Sequence, residues 1–218
     1  EVSEQAPLRL VGVVVLLVTS TIPHEGKTTT AANLAVAMAQ MGERVLLIDT
    51  DMRRHNLHKV FALENLIGIS DMIVDHANVS AAIRTVNSLP NLSVITGGTL
   101  ATNPSELLGS NSMRQLMSKL RSQYDRVILD SPPILAFSDA LVLSRIADGV
   151  LFVVWGGMTG RDEIKKSVQS IQAVGARILG VVLNNVDFSR NSSSYYYYHP
   201  YYDYYYGEKD EVKKGKKG

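Results

Sequence analysis

A doubly wound α/β fold, with a mostly parallel sheet flanked by helices, is predicted by three features of this 218-residue sequence. Short apolar runs rich in β-branched residues recur along it. They do not alternate with polar residues, which is how strands buried on both faces read. The segments between them carry helical periodicity, and strand–helix alternation implies right-handed βαβ crossovers.

Taken in order, "VGVVVLLV" at 11–18 predicts the first strand, and the Ala-rich "TTTAANLAVAMAQMG" at 28–42 predicts a helix ending on Gly42. "RVLLID" at 44–49 and "LSVIT" at 92–96 predict the next two strands. "NPSELLGSNSMRQLMSKLRSQ" has a Pro start, and its Met113, Leu116, Met117 and Leu120 share one helical face. "RVILD" at 126–130 and "VLFVV" at 150–154 are further strands. "RDEIKKSVQSIQAVG" lines up Ile164, Val168, Ile171 and Val174 and stops at Gly175, a good helix C-terminal residue. "ILGVVL" at 178–183 predicts the sixth strand. The pattern dies after Asp187. The expected organisation is one domain over 1–188 and a low-complexity, disordered tail over 189–218.

Composition bounds the function. Hydrophobic residues make up 45% of the chain, ample for a core, and the net charge of +1 favours no particular partner. There is no Cys, which excludes disulfides and thiolate metal sites and fits a cytoplasmic protein. The longest apolar run is far short of the ~20 residues that span a bilayer. Two histidines in "HNLH" at 55–58 have no evident third metal ligand; a solvated or phosphate-proximal role is expected for them.

"VTSTIPHEGKTTT" follows the first strand and opens the first long helix, the context a phosphate-binding loop requires. There the backbone N–H groups and the helix N-terminus would wrap phosphates. Lys27 would neutralise the β- and γ-phosphates, and the Thr28 hydroxyl would ligate Mg²⁺. Position 21, where the strict pattern has Gly, is Thr21. The expected contacts to ATP phosphates are Thr21, Pro23, His24, Glu25, Gly26, Lys27, Thr28, Thr29 and Arg53. "VLLIDTDMRR" places Asp49 and Asp51 at a strand end, and their i, i+2 spacing turns both to one side. "VILDSPP" places Asp130 likewise. Strand carboxyl ends are where open α/β sheets bind ligands, so the set reads as a Mg·nucleotide site.

The tail carries nine of the ten tyrosines: Tyr195, Tyr196, Tyr197, Tyr198, Tyr201, Tyr202, Tyr204, Tyr205 and Tyr206. So many rings among Ser, Gly and Lys cannot all be buried. A stacking surface for nucleic acid wants cations between the rings. Here the lysines come after them, so no nucleic-acid partner is expected.

With these residues laid out, the chain resembles the bacterial tyrosine kinases associated with polysaccharide co-polymerases, whose fold is similar to MinD/ParA-type P-loop ATPases. The resemblance rests on "STIPHEGKT", "LLIDTDMRR" and "VILDSPP" as Walker A, A′ and B motifs, and on the tyrosine-rich tail. A MinD/ParA partitioning ATPase is the alternative; those proteins carry a Lys where this chain has Ile22, and lack such a tail. The resemblance implies ATP and Mg²⁺ as cofactors, with Thr28, Asp49 and Asp130 around the metal. It implies Lys27, Asp49, Asp51 and Asp130 as catalytic residues. One of Asp49 and Asp51 would assist Mg²⁺ and the other orient or deprotonate the acceptor, Asp51 being the favoured base. Asn184 would face the adenine or be a turn residue; Arg53 would stabilise phosphate charge or be a solvated loop residue. The nine tail tyrosines become phosphoacceptors. Implied partners are a transmembrane activator, fused or separate, at the inner face of the plasma membrane, a cognate tyrosine phosphatase, and further copies in a ring.

Two positions depart from that pattern. The family usually reads Pro-Gly-Glu-Gly-Lys, and His24 replaces the first Gly. The family's Glu-x-x-Arg-x-x-Arg ring motif is missing from "EVSEQAPLRL". A truncated N-terminus or a differently built ring is expected from that.

Overall fold

The computed structural model describes residues 12–74 and 79–186, and the described residues up to Asn184 form one compact unit. The tyrosine cluster, the expected boundary after residue 188 and the first ten residues lie outside the described residues. The chain runs β1 (Val15–Ser20), α1 (Lys27–Gln40), β2 (Val45–Asp49), α2 (Leu57–Val60), α3 (Ile69–Val74), α4 (Val79–Ala82), β3 (Ile83–Val86) and β4 (Leu89–Ile95). It continues α5 (Pro104–Gly109), α6 (Asn111–Gln123), β5 (Arg126–Asp130), α7 (Asp139–Ser144), β6 (Gly149–Trp155), α8 (Arg161–Ala173) and β7 (Ile178–Asn184). The seven strands are ordered β3-β4-β2-β5-β1-β6-β7. All neighbours are parallel except β3, which is antiparallel to β4.

The unalternating strands are explained by two cores, one on each face of the sheet. In β2, Leu46 and Ile48 turn to the face covered by α6 and α7, while Val45 and Leu47 turn to the face covered by α1. The α1 side is lined by Ala31, Ala32, Ala35 and Ala39, whose small side chains let the helix lie close to the sheet. On the other side α6 buries Met113, Leu116, Met117 and Leu120. At about 1.5–3 kcal/mol per fully buried large side chain, that stripe holds α6 in place.

The single helix expected over 103–123 is two. Ser110 is extended at φ −69°, ψ 162°, which ends α5, and its Oγ accepts from the Met113 N–H to start α6. β3 is a strand the apolar runs did not reveal: "IRTV" is short, mixed in polarity and paired on one side only.

The two ends of the sheet differ in chemistry. At the N-terminal end the charges are paired: Arg44 with Asp125 at 2.8 Å, Arg126 with Glu43 at 2.9 Å and Arg121 with Asp148 at 2.7 Å. Asp148 also accepts from the Val14 and Val15 N–H groups at 2.8 Å, anchoring the start of β1. At the C-terminal end carboxylates are buried with less compensation.

Candidate active site

β1, β2 and β5 lie side by side, so the loop after β1 and the carboxylates ending β2 and β5 meet at one edge. The loop from Thr21 to Gly26 turns into α1, with Gly26 as its N-cap at φ 89°. An L side chain there would be strained, and a Cβ would sit 2.1 Å from Asn184 Nδ2. That Asn184 Nδ2 donates to the Glu25 carbonyl oxygen at 3.1 Å, tying the end of β7 to the loop. His24, where the resembling family has Gly, adopts φ 67°, a left-handed conformation. A non-Gly residue there carries roughly 1–2 kcal/mol of backbone cost.

Glu25 was expected among the phosphate contacts. Its side chain instead turns inward and is fully buried. One carboxylate oxygen accepts from the Ile22 N–H at 2.8 Å; the other accepts from the Trp155 N–H at 3.1 Å and the Thr159 hydroxyl at 2.6 Å. Glu25 is a strut between the loop and the end of β6, and only its backbone is available to an anion. Thr21 is likewise fully buried, its hydroxyl without a partner.

A cavity of about 460 Å³ opens in front of the loop. It is bounded by Pro23, His24, Gly26, Lys27, Thr28 and Thr29 on the loop side, and by Asp51 and Arg53 across from them. Pro133, Phe137 and Trp155 form an apolar rim. Lys27 is 8% exposed, and burial lowers its pKa against the opposing pull of Asp130, Asp51 and Glu25.

The three aspartates separate by role. Asp51 lines the cavity, and its Oδ1 accepts from the Arg53 N–H at 3.2 Å and the Arg54 N–H at 3.0 Å. Burial raises its pKa, opposed by those two N–H groups and by Lys27. Asp49 does not line the cavity. It is fully buried, and its Oδ2 accepts from the Asn56 and Leu57 N–H groups at 2.9 and 3.0 Å, fixing the loop that carries Asp51. Asp130 stands beside Asp49 in the sheet register, 1% exposed. Burial pushes Asp49 up to about 7 and Asp130 up to about 8, the Asp49 charge adding to the second and the Thr28 hydroxyl opposing it.

Asp49 Oδ1 and Asp130 Oδ1 are buried without a hydrogen-bond partner. Such an atom is costly unless something satisfies it. A hydrated cation beside Thr28 supplies what Asp130 lacks, so these residues fit Mg²⁺. Among the described residues, no three His, Asp or Glu side chains could hold a metal by themselves. Mg²⁺ in nucleotide sites typically takes one or two protein ligands and completes its shell with phosphates and water.

Arg53 is on the cavity wall, but its guanidinium is committed: it forms a fork with Asp139 at 2.9 and 3.2 Å and lies 4.1 Å over the Phe137 ring. Asp139 is fully buried and also accepts from the Ser105 hydroxyl. Asp139 lies in "FSDA" at 137–140, a segment that resembles the family, but its pairing with Arg53 has no local signal because the partner lies 86 residues away. His55 is not a solvated side chain. It is 8% exposed, packs against Gly97, and its Nδ1 lies 3.1 Å from Asn65 Nδ2.

Comparison with known proteins identifies this arrangement. Residues 24–180 match the family model described as an AAA domain. The chain is 39% identical over 177 residues to the tyrosine-protein kinase YwqD of Bacillus subtilis, covering 81% of this chain and 74% of that protein. This chain belongs to the bacterial tyrosine kinase family.

It is also 37% identical to the putative tyrosine-protein kinase CapB of Staphylococcus aureus, over 82% of this chain and 78% of that one. The solved kinase domain of Escherichia coli tyrosine kinase ETK superposes with a TM-score of 0.77 at 36% identity, covering 82% of this chain and 69% of that chain. A MinD protein from Pyrococcus horikoshii, solved with Mg-ADP, matches at TM-score 0.67 and 23% identity over 82% and 72% of the chains, which shows a shared fold. The chain is therefore a tyrosine kinase on a MinD-like P-loop scaffold. Among its described residues no helix is long and apolar enough to cross a membrane.

Proposed function

We propose that this kinase transfers the γ-phosphoryl group of ATP to the tyrosines of its own C-terminal cluster, Tyr195–Tyr206, and thereby regulates polysaccharide synthesis and export. The observation that carries the proposal is that Lys27 and Asp51 line one cavity fronted by the loop. That juxtaposition supports a site in which the triphosphate sits on the loop with its terminal phosphate towards Asp51.

In this reading the N–H groups of the loop and the start of α1 hold the phosphates. Lys27 neutralises the β- and γ-phosphates, and Asn184, held at the loop, is placed towards the adenine. Thr28 and Asp130 would hold Mg²⁺. When bound, that ion would supply Lewis-acid stabilisation of the phosphate charge. The acceptor's phenol oxygen attacks the γ-phosphorus, the bond to the β–γ bridging oxygen breaks, and ADP leaves with that electron pair. Asp51 takes the phenolic proton. A carboxylate is a weak base for a phenol of pKa ~10, but burial makes Asp51 more basic than an exposed aspartate. A loose phosphoryl-transfer transition state leaves most of the catalysis to positioning and charge stabilisation.

The tail is delivered to the site of another copy or of its own chain; assembly into a ring favours the former. Each phosphotyrosine adds about −1.5 to −2 charges, so a loaded tail drives copies apart. A membrane-bound activator places the kinase at the inner face of the membrane, and a phosphatase resets the tail. The test is incubation of purified protein with Mg·ATP and mapping of phosphotyrosine by mass spectrometry, with Lys27→Met as the control. Phosphate on Tyr195–Tyr206 that disappears in the control is expected. Hydrolysis of ATP without any phosphotyrosine would refute the proposal.

A further inference from the structure

Phosphoryl transfer accounts for the loop and the carboxylates, but not for the rim across the cavity. There the Arg53 guanidinium carbon sits over the Phe137 ring, 4.1 Å from its centroid. Arg53 is fixed at three points: its Nε and Nη2 bond to the buried Asp139, its backbone N–H donates to Asp51 Oδ1, and its Cζ lies over the ring. Asp139 is in turn held by Ser105. Arg53 and Phe137 both line the cavity beside Asp51, and Phe137 is 36% exposed.

A guanidinium held in this way does not swing freely to a phosphate, because leaving would strand the fully buried Asp139 carboxylate. Nor is it a solvated loop side chain. It is a planar cation packed over Phe137 and partly exposed, and it lines the cavity together with Asp51, the carboxylate that would receive a phenolic proton. Arginine planes and aromatic rings attract each other by stacking. A phenol can stack on such a surface in the cavity that Asp51 also lines, whereas a serine or threonine hydroxyl has no ring to stack.

We propose that the Arg53–Phe137 ledge is the acceptor subsite of this kinase: it binds the aromatic ring of the incoming tyrosyl side chain and so selects tyrosine over aliphatic alcohols. Asp139 is its positioning residue. The proposal rests on the phosphotransferase reading of the same cavity, and its test separates the two.

The probes are a fluorescently labelled acidic peptide with one central tyrosine, and its phenylalanine and leucine analogues. Binding to the full chain is followed by anisotropy with a non-hydrolysable ATP analogue and Mg²⁺ present. The wild type should hold the tyrosine and phenylalanine peptides similarly and the leucine peptide about five-fold more weakly, the size of one cation–π stack. Arg53→Lys, which keeps the charge and loses the plane, and Phe137→Leu should each erase that preference while changing affinity for the nucleotide analogue by less than about two-fold. Both side chains are partly exposed, so neither change empties the core. In turnover with Mg·ATP, the peptide KM should rise and the ATP KM should not. If instead the nucleotide affinity drops and ring preference persists, the ledge serves the adenine and the proposal fails. It fails also if the leucine peptide binds as well as the others. Because binding is read without turnover, a wild-type chain that transfers no phosphate to tyrosine refutes the phosphotransferase reading alone.

Discussion

Replacing Glu25 by glutamine should destabilise this kinase more than its near-isosteric size suggests. Three donors point at the buried carboxylate: the Ile22 N–H on one oxygen, and the Trp155 N–H and Thr159 hydroxyl on the other. An amide has one acceptor oxygen. If it faces Trp155 and Thr159, the new NH₂ confronts the Ile22 N–H; if it faces Ile22, the NH₂ confronts the Trp155 N–H. In both orientations a backbone donor loses its acceptor, which costs about 1–3 kcal/mol, and the surviving bonds fall from charged to neutral, about 1 kcal/mol more. The sum, about 2–4 kcal/mol, corresponds to a fall in Tm of roughly 5–15 °C at about 2–4 °C per kcal/mol for a chain of this size. Thermal unfolding by circular dichroism measures it. Nucleotide affinity should fall in parallel, because the strut holds the loop against the end of β6. A shift below about 2 °C would show that the loop stands without Glu25 and that its buried hydrogen bonds carry no net energy.

Further outcomes follow from the same geometry. Asp49 and Asp130 have folded-state pKa values raised to about 7 and about 8. Both stay protonated in the fold after the unfolded chain has lost those protons, so the stability they confer is complete below pH ~4. It is lost as pH climbs through about 7 and 8. Nucleotide-free protein should therefore melt lower at pH 8.5 than at pH 5.5 in differential scanning fluorimetry, and Asp130→Asn should flatten that slope. His24→Gly removes a left-handed cost of roughly 1–2 kcal/mol and adds chain entropy worth about 0.5–1 kcal/mol to the unfolded state. Chemical denaturation should show a gain no larger than about 1.5 kcal/mol. Phe152 is fully buried at the centre of the α6 and α7 core. Phe152→Ala should cost about 3–5 kcal/mol in urea unfolding.

What could be read from the sequence followed from how local each signal was. Strands buried on both faces announce themselves as unbroken apolar runs, so β1, β2, β4, β5, β6 and β7 were legible, with β1 displaced towards Ser20 from the expected 11–18. β3 was not, because a short edge strand with Arg84 and Thr85 has no such run. The break at Ser110 did have a local trace: "GSNS" at 109–112 is polar and interrupts the apolar spacing between Leu108 and Met113. The loop residues and Asp51 were legible because spacing within one segment fixes them. The inward turn of Glu25 depends on Trp155 and Thr159, and the lock on Arg53 depends on Asp139. Partners more than eighty residues away leave no trace in the local pattern. The i, i+2 rule placed Asp49 and Asp51 on one side, but the chain leaves the strand after Asp49, and only Asp51 lines the cavity.

The margins of the sheet are unequal, and this bears on how foreign main chain can join it. At one margin β3 has four residues, a register slip between Thr85 and Val86, and a charged Arg84. Such a border offers few consecutive free amides and discourages lateral growth. At the other, β7 extends for seven residues, with Val181 59% and Leu183 56% exposed. Among the described residues, that is the side on which an extended segment from another molecule would find both a ladder and an oily surface. Any strand exchange between copies thus has a built-in direction.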